Sequence, residues 1–136
     1  MPGWGTGSFE NEDAQSLLGR LNSLGIDDLR PTLSRAADYD DYLEVPESST
    51  AVAAAEVIAA LVVVQKGGAA SPAAPRQVME WLSKNKVDAP PDLVDLARRA
   101  VDRVRTNSEL KDLWLEAEGL NEWSAALRDL ERRLSA

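Results

Sequence analysis

The stretch from residue 51 to residue 64 limits the fold of this chain more than any other part of it. Its sequence, AVAAAEVIAALVVV, is apolar throughout except for Glu56. A helix that is apolar on every face must be surrounded by other elements. Because fourteen residues fall short of the roughly 20 that a membrane span needs, we expect a core helix, over about residues 46–65, and no membrane segment.

Apolar residues recur at helical spacing along the rest of the chain, and no strand-like alternation of convincing length is present. The fold class is predicted as an all-α, single-domain bundle of about six to seven helices around the Ala/Val-rich helix. The Gly, Ala and Pro-rich residues 66–75 are predicted to form a flexible linker. The other predicted helices cover about residues 12–24, 27–37, 76–86 and 91–105, then one capped by Asn107 or Ser108 and a last one capped by Asn121.

The excess of negative charge lies in one half of the chain. Residues 1–65 contain 11 acidic and 3 basic side chains, whereas residues 66–136 contain 12 of each. This asymmetry disfavours nucleic acid as a partner and favours a basic protein. Within the acidic half, one cluster is a candidate binding surface with aromatic anchors. The alternative for its charges is a solvated acidic turn that aids solubility, and the alternative for its two tyrosines is that both rings point inward and close a helix junction. The cluster is Asp38, Tyr39, Asp40, Asp41, Tyr42 and Glu44.

Several chemistries are excluded by residue types that the chain lacks. It contains neither Cys nor His, which removes disulfides, thiol nucleophiles and the usual near-neutral general base and metal ligand. The carboxylates from Asp38 onward match half of a calcium loop but lack its glycine and its bidentate Glu. No metal and no cofactor are therefore predicted. The N-terminus shows no secretory signal pattern, so a cytoplasmic location is expected.

The opening of the chain carries a cluster of aromatic and glycine residues, WGTGSF at positions 4–9, ahead of Asn11. A phosphate loop at Gly5 and Gly7 is disfavoured, because the residues that follow are acidic rather than basic. We instead interpret Trp4 and Phe9 as anchors in the bundle. Gly5 and Gly7 are then expected to hold backbone conformations that a larger residue tolerates poorly, and Asn11 to cap the first helix.

This opening resembles that of a bacterial family known as domain of unknown function 4259, whose members tend to begin Trp-Gly-x-Gly-x-Phe-x-Asn-Asp-x-Ala. The similarity extends to the Tyr-Leu-Glu-x-Pro turn at 42–46, the Ala-rich segment with Glu56, the Leu-Ala-Arg-Arg-Ala run at 96–100 and the stretch 108–114, which begins Ser-Glu-Leu and ends Leu-Trp. The chain departs from the pattern in having Glu12 in place of Asp, and Pro2 ahead of Gly3. The resemblance implies a small bacterial domain and no particular activity.

Glu56 is the only charged residue in the apolar segment. A carboxylate in an apolar interior requires a partner or a change of protonation state. The favoured interpretation is a structural ion pair with Arg20, Arg98 or Arg99, and the alternative is a functional site. The arginines of the fifth predicted helix are interpreted as partners of acids on the same helix, rather than as a nucleic-acid contact; they are Arg98, Arg99, Arg103 and Arg105.

These observations favour a non-enzymatic protein-interaction module that binds a basic partner, of which an immunity or antitoxin-like protein is one concrete form. One alternative is a carboxylate-based enzyme or divalent-metal protein that uses Glu56 and the acidic cluster. Another is a structural or oligomerising module, which requires an exposed apolar stripe. The oligomeric state is left open. The stripe is expected on the last helix, at Trp123, Leu127, Leu130 and Leu134.

Overall fold

The computed structural model describes residues 5–69 and 74–135. Within those ranges the chain forms seven α-helices and no strand, which confirms the all-α bundle. Two 3-10 helices, Leu21–Ser23 and Ile26–Leu29, connect the first two α-helices. The α-helices are α1 Glu12–Arg20, α2 Arg30–Ala37, α3 Val45–Gln65, α4 Arg76–Lys84, α5 Pro91–Thr106, α6 Glu109–Glu116 and α7 Leu120–Ser135.

Helix α3 is the centre of the bundle and packs against each of the other six helices. Twelve of its 21 residues are buried, and alanines at 51, 53, 54, 55 and 59 are fully so. Small side chains let neighbouring helices approach its backbone closely, while Ile58 and Val57 supply apolar volume. By length and composition alone α3 also passes as a membrane span, but 67% of the relevant window is buried inside the bundle. Its core position confirms the prediction from the apolar run.

Local signals set most of the helix ends. The Asn11 side chain accepts a hydrogen bond from the Ala14 N–H at 2.8 Å, and the Ser108 hydroxyl accepts one from the Lys111 N–H at 3.1 Å, so both act as N-caps. Helix α3 ends where Gly67 adopts a φ of +87°, a left-handed conformation that glycine accepts readily. These ends agree with the sequence.

Four boundaries differ from the sequence prediction. The regions predicted as continuous helix up to residue 24 and from residue 27 contain tighter 3-10 turns, around a corner in which the Asp28 carboxylate accepts the Gly25 N–H at 2.7 Å. Helix α4 ends at Lys84, because the Asn85 side chain donates to the Trp81 carbonyl at 2.9 Å and closes the last turn. Asn121 is not the N-cap of α7, which already begins at Leu120.

The apolar stripe of α7 faces the core. Helix α7 packs against α3, α5 and α6, and the side chains expected to form an exposed stripe are instead between 0% and 3% exposed. This position on the chain therefore offers no apolar surface to a second copy. The side chains concerned are Trp123, Leu127, Leu130 and Leu134.

Two sequence features lie partly outside the described residues. Residues 70–73 belong to the predicted linker at 66–75, and Trp4 belongs to the opening motif. The flexibility of the linker and the anchoring role of Trp4 therefore stay predictions. The buried apolar side chains of the described residues form one continuous cluster, to which every α-helix contributes.

Candidate partner-binding face

The acidic cluster forms an irregular segment, residues 38–44, between α2 and α3. All six of its predicted site residues are exposed, whereas Leu43 in their midst is only 1% exposed and belongs to the core. The rings of Tyr39 and Tyr42 are 44% and 49% exposed. The interpretation in which both rings point inward and close a helix junction is therefore wrong, because Leu43 fills that position instead.

Helix α5 holds the backbone of this segment from one side. The Arg103 guanidinium donates hydrogen bonds to the carbonyl oxygens of Tyr39 and Asp41. The Arg99 Nη1 lies 3.0 Å from the Asp38 Oδ1, and this hydrogen bond raises the pKa of the Arg99 guanidinium. Two arginines of the basic strip thus reach across to the acidic half of the chain rather than pairing only along their own helix.

The remaining contacts of the strip agree with the sequence prediction only in part, because Arg105 also reaches α7, where its Nε lies 2.7 Å from the Glu131 Oε2. Arg98 pairs with Asp95 at 2.9 Å, and Arg105 pairs with Asp102 at 2.9 Å, both at i,i+3 spacing on α5. Hydrogen bonds from Arg98 and then Arg99 keep the pKa of the Asp95 carboxyl below its usual value. These carboxylates neutralise a large part of the strip.

Helix α6 holds the segment from the other side. The Glu109 N–H donates to the Leu43 carbonyl at 2.8 Å, and the Val45 N–H donates to the Glu109 Oε1 at 3.0 Å. The Tyr42 hydroxyl donates to the Asp112 Oδ2 at 2.6 Å, a hydrogen bond that raises the pKa of Tyr42 to about 12. The orientation of the Tyr42 ring is therefore fixed by α6.

Most of the carboxylates around this segment are left without a cation. Within the described residues, Asp40, Asp41, Glu44 and Glu47 form no ion pair. Burial and the nearby charges of Glu12 and Glu47 raise the pKa of Asp13 at the start of α1. Negative charge from two elements is thus crowded here. We call Tyr39, Asp40, Asp41, Tyr42, Glu44 and Glu47 the acidic face.

A cleft of about 120 Å³ opens within the acidic face. Two exposed tyrosines, two glutamates and one arginine from the last turn of α2 surround it, next to Leu43, whose side chain is in the core. The residues that line it are Arg35, Tyr39, Tyr42, Leu43, Glu44 and Glu47. We refer to it as the acidic cleft.

Glu56 is paired, but not with the arginines that the sequence suggested. Its side chain is 16% exposed, and its Oε1 and Oε2 lie 2.6 Å and 3.4 Å from the two terminal nitrogens of Arg133 on α7. Burial would lower the pKa of Arg133, but hydrogen bonds to Glu56 and Asp129 outweigh it and raise that pKa. The structure therefore replaces Arg20, Arg98 and Arg99 as proposed partners, since it is α7 that brings an arginine to this part of α3.

A cavity of about 530 Å³ adjoins this ion pair, with apolar walls from α3 and α4 and polar groups from Glu56, Asp129 and Arg133. Arg133 bonds both of those carboxylates. The Asp129 pKa lies below its usual value, because hydrogen bonds from Arg132 and Arg133 outweigh the effect of burial, which is the largest single contribution and raises it. Of these two acids, only Glu56 links α3 to α7 through Arg133, whereas Asp129 pairs with Arg132 and Arg133 along α7 itself.

The opening segment uses its glycines differently from the expectation. Neither Gly5 nor Gly7 has a positive φ; instead, a Cβ on either one would lie 2.3 Å from a carboxylate oxygen of Glu10. That carboxylate accepts the Gly7 N–H at 3.1 Å. The glycines thus make room for a side chain, and the Gly7 N–H is already used by an internal acid. Phe9 packs partly buried against the core, in line with its predicted role as an anchor.

Within residues 5–69 and 74–135, no group of three or more acidic side chains is arranged to hold a metal ion. Glu56 lies with Arg133 on the α3 and α7 side and is not part of the lining of the acidic cleft. The two sets of acids that the sequence singled out are therefore separate sites.

Comparison with known proteins gives one match. The family model described as "Domain of unknown function (DUF4259)" matches residues 3–126, which is nearly the whole chain. No curated protein and no solved structure matches the sequence.

Proposed function

This chain belongs to the DUF4259 family, and we propose that it is a non-enzymatic interaction module whose acidic face binds a basic protein in the cytoplasm. Capture of a cationic toxin, as an immunity or antitoxin-like protein performs it, is one concrete form of this role. The observation that carries the proposal is the set of four carboxylates without ion pairs beside two exposed tyrosine rings.

The acidic face is held in place before any partner arrives. Arg99 and Arg103 hold its backbone from α5, while Glu109 and Asp112 hold it from α6. A surface that is already ordered loses less conformational entropy on binding, so more of the contact energy appears as affinity. Tyrosine is well suited to such surfaces, because it offers a large contact area with few rotatable bonds.

The charge of the chain supports the same proposal. A net charge of −8, with the whole excess in residues 1–65, attracts a basic protein over distances of about one Debye length, roughly 8 Å at physiological salt. Such steering raises association rates, and rapid association is valuable in a protein that must neutralise a toxic enzyme.

The proposal is tested by capturing partners from cells of the source organism at low salt, followed by mass spectrometry. The triple variant Asp40→Asn, Glu44→Gln, Glu47→Gln removes three charges from the acidic face. The matched control Asp88→Asn, Glu118→Gln, Glu122→Gln removes three charges of the same types from exposed positions elsewhere.

We expect the wild type and the control to retain a basic protein that is released as salt rises, and the acidic-face variant to lose it. Purified partner and wild type should then form a complex whose dissociation constant increases with ionic strength. Equal retention by all three proteins would refute the acidic face as the binding surface.

A further inference from the structure

The acidic cleft contains more than negative charge. Its lining includes the exposed residues Tyr39 and Tyr42 together with Glu44 and Glu47, while the side chain of Leu43 lies in the core. Its volume of about 120 Å³ exceeds the roughly 10–15 Å³ that admits one water molecule and falls short of the roughly 300–1,000 Å³ of small-molecule pockets. A cavity of this size accommodates the end of a single side chain.

We propose that the acidic cleft receives one arginine side chain from a basic protein partner. This inference rests on the function proposed above and specifies which group of the partner is recognised. A guanidinium is planar and stacks on aromatic rings, and it donates hydrogen bonds in a fork that matches carboxylate oxygens. Tyr39 and Tyr42 supply the rings, and Glu44 and Glu47 supply the carboxylates.

The walls of the cleft are fixed in ways that suit a planar ligand. The hydrogen bond of the Tyr42 hydroxyl to Asp112 sets the direction of one ring, and the backbone at Tyr39 is held by Arg103. Glu44 immediately precedes α3 and Glu47 lies in its first turn, so both carboxylates are attached to the most deeply buried helix of the bundle. An entering guanidinium therefore meets a site that needs little reorganisation.

Arg35 allows a test in which a substitution is expected to strengthen binding rather than weaken it. It lines the same cleft from the last turn of α2, and within the described residues it forms no ion pair. Its charge repels an entering guanidinium. Replacing it by Gln should consequently strengthen binding of a basic ligand, about two- to fivefold for the removal of one exposed like charge.

The first measurement uses a single residue as probe. N-acetyl-arginine N-methylamide, titrated into isotopically labelled protein, should shift the amide resonances of residues 35–47. The citrulline analogue is a neutral match in shape and should cause no such shifts. Shifts of equal size with both compounds, or shifts elsewhere on the protein only, would overturn the proposal, and an equal response to the lysine compound would overturn the choice of arginine.

The second measurement uses a hexa-arginine peptide and calorimetry. The double variant Glu44→Gln, Glu47→Gln should weaken binding about five- to tenfold. The control Glu118→Gln, Glu122→Gln removes two charges of the same type from the turn before α7 and from its first turn, and should weaken binding less than twofold. Tyr39→Leu should weaken binding about two- to fivefold, and Tyr39→Phe should preserve it because the ring remains. Unchanged thermal unfolding midpoints establish that each variant is folded.

The outcomes separate this inference from the function on which it rests. If hexa-arginine does not bind the wild type, or binds with an affinity that salt does not change, the proposed function itself fails. If it binds in a salt-dependent way but the two double variants weaken it equally, the acidic face attracts basic ligands without the cleft, and only the inference is overturned.

Discussion

Helix α3 and the segment that precedes it are neighbours in the chain but depend on different interactions. Helix α3 is stabilised by apolar contacts with six other helices, and its position follows from its own sequence. Residues 38–44 are exposed except for Leu43, and their shape depends on arginine and acidic side chains of α5 and α6. The contrast shows that an exposed segment can have a defined shape without being buried, provided that its backbone groups are bonded from outside.

The largest effect is expected from the interior of α3. Ile58→Ala should lower the free energy of unfolding by about 2–5 kcal/mol, because Ile58 is fully buried and its removal leaves a cavity. Ile58→Val is the graded control, with an expected loss of about 0.5–1.5 kcal/mol. Denaturant unfolding measures both. If Ile58→Ala costs no more than Ile58→Val, α3 is not the packed centre of the fold.

The second largest effect on stability is expected from the ion pair between Glu56 on α3 and Arg133 on α7. Arg133→Met leaves Glu56 without its cation, and we expect a loss of about 1–3 kcal/mol, less than for a fully buried pair because Arg133 is 36% exposed. The double variant Glu56→Met, Arg133→Met should recover most of that loss, since apolar replacements remove the charge and its partner together. A double variant less stable than Arg133→Met would show that the pair contributes more than mutual neutralisation.

Removing a tether of residues 38–44 should act locally. Arg103→Gln should cost about 1 kcal/mol or less of global stability, because the contacts lie near the surface. Amide hydrogen exchange at residues 39–44 should nevertheless accelerate, whereas exchange within α3 should be unchanged apart from the small global effect. If exchange in α3 accelerates instead, the two regions are not independent, and the contrast between them is lost.

The smallest effect concerns Tyr42 at alkaline pH. Ultraviolet titration should show a tyrosine that ionises at about 12, a signal that Tyr42→Phe removes. Because the folded pKa exceeds the unfolded value of about 10, the hydrogen bond to Asp112 contributes its full stability below pH 10 and loses it as the pH rises through 12. Asp112→Asn should lower the pKa of Tyr42 towards its ordinary value. An unchanged pKa in that variant would assign the shift to another cause.

The features that sequence reasoning located are those that depend on neighbouring residues. The apolar run of α3, the caps Asn11 and Ser108 and the end at Gly67 each follow from side chains within a few positions. The exposure of the acidic cluster could be anticipated only as one of two alternatives, because the sequence alone does not decide whether a tyrosine ring lies inside or outside a junction. Leu43 decided it.

The features that it missed are contacts between distant parts of the chain. Arg133 lies 77 positions from Glu56, and Arg103 lies 62 positions from Asp41. Each arginine also had acidic residues nearby in sequence, so local pairing was the simpler interpretation. Which arginine turns along its own helix and which reaches across depends on how α5 and α7 are rotated against α3, and no local pattern encodes that rotation.

Leu43 also determines which kinds of variation this surface accepts. Its side chain lies in the core and its carbonyl accepts a hydrogen bond from α6. The positions of the exposed residues on either side are therefore fixed relative to the bundle. Under the proposed function, exchanging Tyr39, Asp40 or Glu44 should alter partner recognition and leave the helical bundle folded. An inserted or deleted residue in the segment 38–44 would displace Leu43 from the core. Related chains that bind different partners should therefore keep the length of this segment, while its exposed residues differ.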